Sequence, residues 1–264
     1  MLMLPKTRTK VQYFAQICIK TDKRVKMQLF FTTDITDNIA ILPEEEARHC
    51  FLSLRKKVGD LIQVVDGQGG FYQAQIITID KKSCQAKVVD HQMGYGKRDC
   101  RIHLAVAPTK NMDRIEWLLE KATELGIDEV TLLLCDHSER RQVKMERLEK
   151  LLIAAMKQSV QAYLPRLNPL TPFADFVIQQ KGVNQQNFIA HCHSGDKGRL
   201  KGNYQPGQNV CMLIGPEGDF STDEVALALA NDFFPISLGT VRLRTETAGL
   251  VVLHSVHFVN EEIG

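Results

Sequence analysis

Two glycine-bearing turns near the end of the chain have the residue types of a ligand site. They are Leu213-Ile214-Gly215-Pro216-Glu217-Gly218 and Ser237-Leu238-Gly239, with Leu243-Arg244-Thr245-Glu246-Thr247-Ala248 shortly after the second. Each follows an apolar, strand-like run and leads toward a helix. Glycine lets a backbone approach a ligand closely and adopt positive φ. The first N–H groups of the following helix have no intrahelical partner and can bind one. An ordinary β-loop-α connection accounts for the spacing equally well, because neither Gly-x-Gly-x-x-Gly nor a Walker lysine is present.

Elements that would hold these turns are legible around them. Ser221-Thr222-Asp223-Glu224 is a capping box, so Val210–Ile214 reads as a buried strand, 215–220 as a loop and 221–231 as a helix. Upstream, Ile102–Ala107, Val130–Cys135, Phe188–His191 and Pro235–Leu238 read as further strands. Helices are expected over 113–125, stopped by Gly126, over 145–163, ended by Pro165, and over 247–259. This alternation predicts an α/β domain with a parallel sheet over 100–264. The last helix is apolar around much of its circumference and calls for a buried or subunit-facing position. Residues 27–95 are β-rich instead: Leu29–Phe31, Leu61–Val65, Phe71–Ile79 and Cys84–Val89 read as strands, 66–70 as a hairpin turn, and Pro43–Arg48 as one short helix. These strands predict a small β-barrel, joined to the second domain by the linker 93–97.

The strings Ile-Gly-Pro-Glu-Gly at 214–218 and Leu-Gly-x-x-x-Leu-Arg-x-Glu-Thr-Ala at 238–248 closely resemble the SPOUT superfamily, in particular the bacterial 16S ribosomal RNA (uracil-N3)-methyltransferase family. The resemblance runs upstream through Lys110, Asp113-Arg114, Lys121–Gly126 and Gln158-Ser159, and more weakly to His49, Arg55 and Gly59-Asp60. It implies a trefoil-knotted methyltransferase domain behind a PUA-like RNA-binding barrel. It also implies S-adenosylmethionine as cofactor, 16S rRNA as partner, and a cytoplasmic homodimer with active sites at the subunit interface. The cofactor-binding residues on this reading are Leu213, Ile214, Gly215, Glu217 and Gly218, then Leu238, Gly239, Leu243, Thr245, Thr247 and Ala248. Leu213, Leu238 and Leu243 would sandwich the adenine, and side chains at Gly215 or Gly239 would fill the space of close approach. Two places depart from the pattern: related sequences carry an acid before Gln-Ser and an arginine soon after, where this chain has Lys157 and Gln161.

The implied chemistry adds its own demands. Uracil N3 carries a proton at neutral pH and lies on the Watson–Crick edge, so the base must be unpaired and deprotonated. Glu217 as general base and Arg244 as anion stabiliser are the catalytic candidates, against loop bracing and a salt bridge as their structural roles. Arg55, Lys56, Lys57, Lys110 and Arg140 are the candidate phosphate contacts. A ribose or transfer-RNA methylase, or an RNA-binding protein without turnover, remains open on the same residues. His191 and His193 fall on one side of a strand but lack further ligands at recognisable spacing, so no metal is expected.

Charge is unevenly placed. Net charge is +2, but residues 1–26 hold seven Lys and Arg against Asp22 alone, leaving the remainder weakly acidic. RNA contact must therefore be local and not a global field. Seven scattered cysteines without Cys-x-x-Cys spacing suit free thiols. Residues 1–26 lack a core-building pattern and read as a basic extension, disordered or upstream of the true start. Truncation to Met27 should leave folding and cofactor affinity intact; a truncated chain that aggregates on purification would make the extension part of the fold.

Overall fold

The computed structural model describes residues 28–183 and 185–261. The expectation for residues 1–26 lies outside the described residues.

The first sheet is built from β1 (Leu29–Phe31), β2 (Ile35–Thr36), β3 (Ile39–Leu42), β4 (Leu61–Val65), β5 (Phe71–Ile79) and β6 (Cys84–Gln92), in the order β1-β4-β5-β6-β3-β2. Only the β1–β4 pair is parallel. Phe30, Leu42, Ile62, Val64, Ala74 and Ile76 form its core. The β2–β3 hairpin was not anticipated, because its strands are too short to show alternation. Its turn residues Asp37 and Asn38 both take positive φ, the backbone that two-residue hairpins require. Helix α1 (Glu44–Arg48) continues into a π-helical turn, His49–Ser53. The β4–β5 turn is organised by Asp66, whose Oδ1 accepts from the N–H groups of Gln68 (2.7 Å) and Gly70 (2.9 Å).

The second sheet is wholly parallel. Its strands are β7 (Ile102–Val106), β8 (Glu129–Leu134), β9 (Arg166–Pro172), β10 (Gln186–Ala190), β11 (Gly198–Arg199), β12 (Val210–Ile214) and β13 (Phe233–Ser237). They lie in the order β11-β13-β10-β12-β7-β8-β9. Every residue of β7 and β12 is buried, as expected of strands covered on both faces. Helices α2 (Met112–Leu125), α3 (Met145–Gln158) and α7 (Thr245–Glu261), with the short α5 (Leu200–Asn203), cover one face. Helices α4 (Phe173–Gln180) and α6 (Thr222–Ala230) cover the other. The capping box at α6 is present with both of its hydrogen bonds, and Gly126 ends α2 in the left-handed conformation.

Three expectations change. Helix α3 stops at Gln158, not near 163: the Ser159 hydroxyl donates back to Ala155 O (2.7 Å), Val160 takes φ 56°, and the Gln161 amide donates to the carbonyls of Thr123 (2.6 Å) and Glu124 (3.0 Å) at the end of α2. Strand β9 escapes the pattern because it carries Pro169 and Pro172, which its edge position tolerates. Helix α7 begins at Thr245, two residues before the expected start, so Thr245 belongs to its first turn with Thr247 and Ala248.

The two sheets meet through an apolar cluster of Leu29, Val65, Met156 and Ala162. Main-chain bonds reinforce it: Gly69 N–H donates to Ala162 O (2.9 Å) and Leu164 N–H to Gly67 O (2.9 Å).

Beneath α4, His103 hydrogen-bonds Thr131 Oγ1 (2.8 Å), which also accepts from Asn168 (2.8 Å), and the imidazole packs edge-on against Phe176. Burial, followed by the charges of Arg101 and Arg166, lowers the His103 pKa to about 3. An unfolded histidine titrates near pH ~6.5. Below that pH the unfolded chain binds a proton that the native chain refuses, so this group lowers stability progressively from about pH 6.5 toward 3. Denaturant midpoints at pH 7 and 4.5 should therefore fall further apart in the wild type than in His103→Gln. Equal spacing in both would remove His103 as a source of acid sensitivity.

Candidate active site

The carboxyl ends of β10, β12 and β13 open on one cleft, the place where parallel α/β sheets bind ligands. It comprises adjoining cavities of 390 and 310 Å³. Ala190, Cys192, Arg242, Leu243 and Ala248 line both. Leu238 and Gly239 line the first, and Ile214, Gly215, Glu217, Arg244 and Thr245 the second. A third, more open cavity lined by Asp113, Arg114, Trp117, Glu246 and Thr247 shares Arg242, Leu243 and Arg244 with the second.

The loop 215–220 is fixed from four directions. Thr245 Oγ1, at the start of α7, donates to Gly215 O (3.0 Å). Glu217 Oε1 accepts from Lys110 N–H (3.0 Å), just beyond β7. Asp219 Oδ2 accepts from Cys192 N–H (2.7 Å), just beyond β10. His137 Nδ1 lies 3.1 Å from Gly218 O and 3.0 Å from Asp219 O. Asp219 holds φ 65°, and its own Oδ1 accepts from Phe220 N–H (2.9 Å).

Of the residues expected to contact a cofactor, Ile214, Gly215, Glu217, Leu238, Gly239, Leu243, Thr245 and Ala248 line the cleft. Leu213 does not: its side chain is fully buried in the layer beneath α4 and α6, because neighbouring strand residues face opposite ways. Gly218 lies outside the lining, and Thr247 opens on the third cavity. The glycines have different reasons to be glycine. A Cβ on Gly215 would stand 3.2 Å from both the Phe220 ring and its backbone nitrogen, and one on Gly218 would stand 2.9 Å from His137 Cβ. Gly239 holds φ 135° with nothing within 4 Å of its Cβ position, so there the backbone angle demands glycine.

Lys110 and Arg140 come together beside Glu217. The Lys110 ammonium pairs with Glu139 (2.8 Å), which raises its pKa, and the Arg140 guanidinium donates to Lys110 O (2.6 Å). Arg55, Lys56 and Lys57 lie in the other domain, where Lys56 Nζ donates to Leu61 O (3.2 Å) and Lys57 N–H to Asp60 Oδ2 (2.9 Å). Arg244 is exposed at the mouth of the second cavity. Sequence reading missed Arg242, which lines all three cavities and reaches Glu217 O (3.4 Å). It also missed the wall formed by His191, Cys192 and Lys197. Lys197 Nζ donates to the carbonyls of His191 (3.0 Å) and His193 (2.6 Å), closing this loop on itself. Burial and the Lys197 charge lower the His191 pKa, and its Nδ1 is buried without a partner. His193 Nε2 lies 2.6 Å from Phe220 O. Among the described residues no group of three or more His, Cys, Asp or Glu could hold a metal ion.

Leu238 and Leu243 give the cleft apolar walls beside the main chain of Gly239, and its lining carries charges of both signs, Glu217 and Asp219 with Lys197, Arg242 and Arg244. The cavity volumes fall within the usual range for small-molecule sites, roughly 300–1,000 Å³.

A family model for an RNA methyltransferase domain matches residues 97–257, and one for an RNA methyltransferase PUA domain matches residues 42–89. The chain is 26% identical over 247 residues to ribosomal RNA small subunit methyltransferase E of Buchnera aphidicola, covering 91% of this chain and 95% of that protein. The crystal structure of a probable rRNA-methyltransferase from Porphyromonas gingivalis aligns with a TM-score of 0.83 at 41% identity, over 90% of this chain and 100% of that one. Ribosomal RNA small subunit methyltransferase E from Neisseria gonorrhoeae, bound to S-adenosyl methionine, shares the fold with a TM-score of 0.78 at 22% identity, over 88% and 98% of the two chains.

The two glycines should separate in experiment. Gly215→Val drives a side chain into buried Phe220 and should cost about 1–3 kcal/mol of stability. Gly239→Val strains an exposed turn at the cleft and should weaken S-adenosylhomocysteine binding while moving the melting temperature less. Calorimetric titration beside thermal unfolding reads both effects; an unchanged melting temperature for Gly215→Val would contradict the packing role.

Proposed function

The chain belongs to the RNA methyltransferase family, and from that premise we propose that it transfers a methyl group from S-adenosylmethionine to N3 of a uridine in 16S ribosomal RNA of the small ribosomal subunit. The observation that carries the N3 reading is the joint presence of Glu217, Arg242 and Arg244 in the second cavity. An imide nitrogen needs a group to take its proton and a cation to stabilise the resulting anion, and this cavity offers both.

The cofactor would lie between Leu238, Gly239 and Leu243 on one side and Gly215 and Thr245 on the other. Bound there, it supplies an electrophilic methyl group. Glu217 is braced by the Lys110 N–H through Oε1, which leaves Oε2 to receive the N3 proton. Arg244, exposed at the cavity mouth, stabilises charge on the uracil carbonyl oxygens. Lys110 and Arg140, with Arg55, Lys56 and Lys57 from the first domain, contact RNA phosphates. Sites this local suit a protein whose body is weakly acidic overall.

In this reading the domain is trefoil-knotted, its last helix threaded through an earlier loop, one of the rare departures from unthreaded connections. The protein acts as a homodimer: exposed Trp117 and Val241 border the open side of the cleft, where a second copy would cover them. No helix among the described residues is long and apolar enough to cross a membrane, and the substrate places the work in the cytoplasm.

Nucleoside mass spectrometry of 16S rRNA from a deletion strain should show one N3-methyluridine lost; loss of a 2′-O-methyl nucleoside instead would sink the N3 assignment. Single-turnover rates against pH divide the catalytic roles. Glu217→Gln keeps an acceptor for Lys110 but loses the base, so its deficit should be largest at low pH and shrink as free uracil deprotonates. Arg244→Ala should be slower at every pH, by about a hundredfold to a thousandfold. If both variants match wild type throughout, these residues brace the loop and do no chemistry.

A further inference from the structure

One half-buried ion pair joins the two domains. The Lys157 ammonium on α3 pairs with Glu46 Oε1 on α1, with side chains only 23% and 13% exposed. The other Glu46 oxygen is buried without a partner. A second pair, Lys150–Glu45 (3.1 Å), is almost wholly exposed and contributes little. Removing one member of the half-buried pair strands a charge in a poorly solvated place, whereas replacing both together does not.

The segment on the C-terminal side of Glu46 gives the pair a use. Helix α1 runs without a break into the π-helical turn, which ends at Ser53; the chain then turns at Arg55 (φ 52°) and continues irregularly through Lys56-Lys57. Ala47 and Cys50 are fully buried, Leu54 N–H donates to His49 O (3.1 Å) and Lys56 N–H to Cys50 O (3.1 Å). These two main-chain bonds hold the basic triplet against the end of the helical segment that carries Glu46. Among the described residues, two attachments between the domains are at least partly buried. One is the apolar cluster with the Gly69–Ala162 main-chain bond, and the other is Lys157–Glu46.

We propose that Lys157 and Glu46 are positioning residues for RNA: their pairing orients the basic segment 55–57 relative to the cleft, so that one RNA engages both. This rests on the rRNA methyltransferase reading. It assigns Lys157 a role in substrate geometry without contact with substrate.

The test uses the full chain, with single variants Lys157→Glu and Glu46→Lys, the double charge swap, and the apolar double variant Lys157→Met with Glu46→Met. Half-saturating 16S rRNA and single-turnover rate are read beside S-adenosylhomocysteine affinity and thermal unfolding. Each single variant should raise the half-saturating RNA concentration by about tenfold to a hundredfold, since small misplacements carry costs of that order. Cofactor affinity should stay at the wild-type value, and the swap should restore RNA saturation. If a single variant does not fold, the apolar double variant carries the test: it should fold and still saturate poorly with RNA. A swap that saturates no better than the single variants, or an apolar variant that saturates like wild type, overturns the proposal. A wild-type chain that methylates no RNA overturns the functional reading itself, which separates the two failures.

Discussion

The loop 215–220 carries the constraint on which the rest depends. A loop at the end of a buried parallel strand needs partners for its main-chain groups, and this one is tied to four other segments, two through its own carbonyls and two through carboxylates that accept from neighbouring main-chain N–H groups. Glu217 reaches the end of β7, Asp219 the end of β10, Gly218 the loop after β8, and Gly215 the start of α7. Those segments are brought near by the order β13-β10-β12-β7-β8, which sets chain-distant strands side by side. The cleft is the space left when these loops are tied together. Its shape is therefore a property of the sheet order more than of any one side chain.

The glycines show how the same residue type answers different physical demands. Gly215 and Gly218 face inward, toward Phe220 and His137, and leave no room for a side chain. Gly239 faces open space and is held at a backbone angle that other residues rarely adopt. From sequence alone the three look equivalent, all candidates for close approach to a ligand. Only the tertiary contacts tell packing glycines from a conformational one.

Much of the scaffold was legible because local rules and packing agree in it. Leu29–Phe31, Leu61–Val65 and Phe71–Ile79 form strands with the limits their alternation predicts, and the capping box starts α6 at the residue its sequence marks. Elements decided by distant contacts were not legible. The end of α3 is set by Gln161 reaching across to α2, and β9 is kept by its edge position despite two prolines. The strings at 214–218 and 238–248 fall on turns that border the cleft, yet the wall from Ala190 to Lys197 carries no motif. Its loop is shaped by Lys197 donating to two carbonyls, an arrangement invisible to any sequence pattern. Leu213 was misplaced for a simpler reason: period-two alternation sends it to the opposite layer from Ile214.

The two departures from the family pattern become intelligible as structure. Lys157 has its charge matched by Glu46, across the domain boundary. Gln161 uses its amide to donate to two carbonyls at the end of α2: Thr123 O, which also accepts from Gly126 N–H, and Glu124 O, in the turn where helix carbonyls lose their intrahelical partners. A guanidinium at 161 could make the same two donations, so the neutral amide keeps the scaffold role and gives up only the charge. The cleft does not lack cations as a result. In the irregular segment just before α7, half-buried Leu243 lies between exposed Arg242 and Arg244. One short stretch of chain thus supplies both an apolar wall for a ring and two positive charges at the mouth. Thr245, directly after them, ties this stretch to the loop after β12 through Gly215 O, so that the apolar wall and both charges border Glu217 in one cavity.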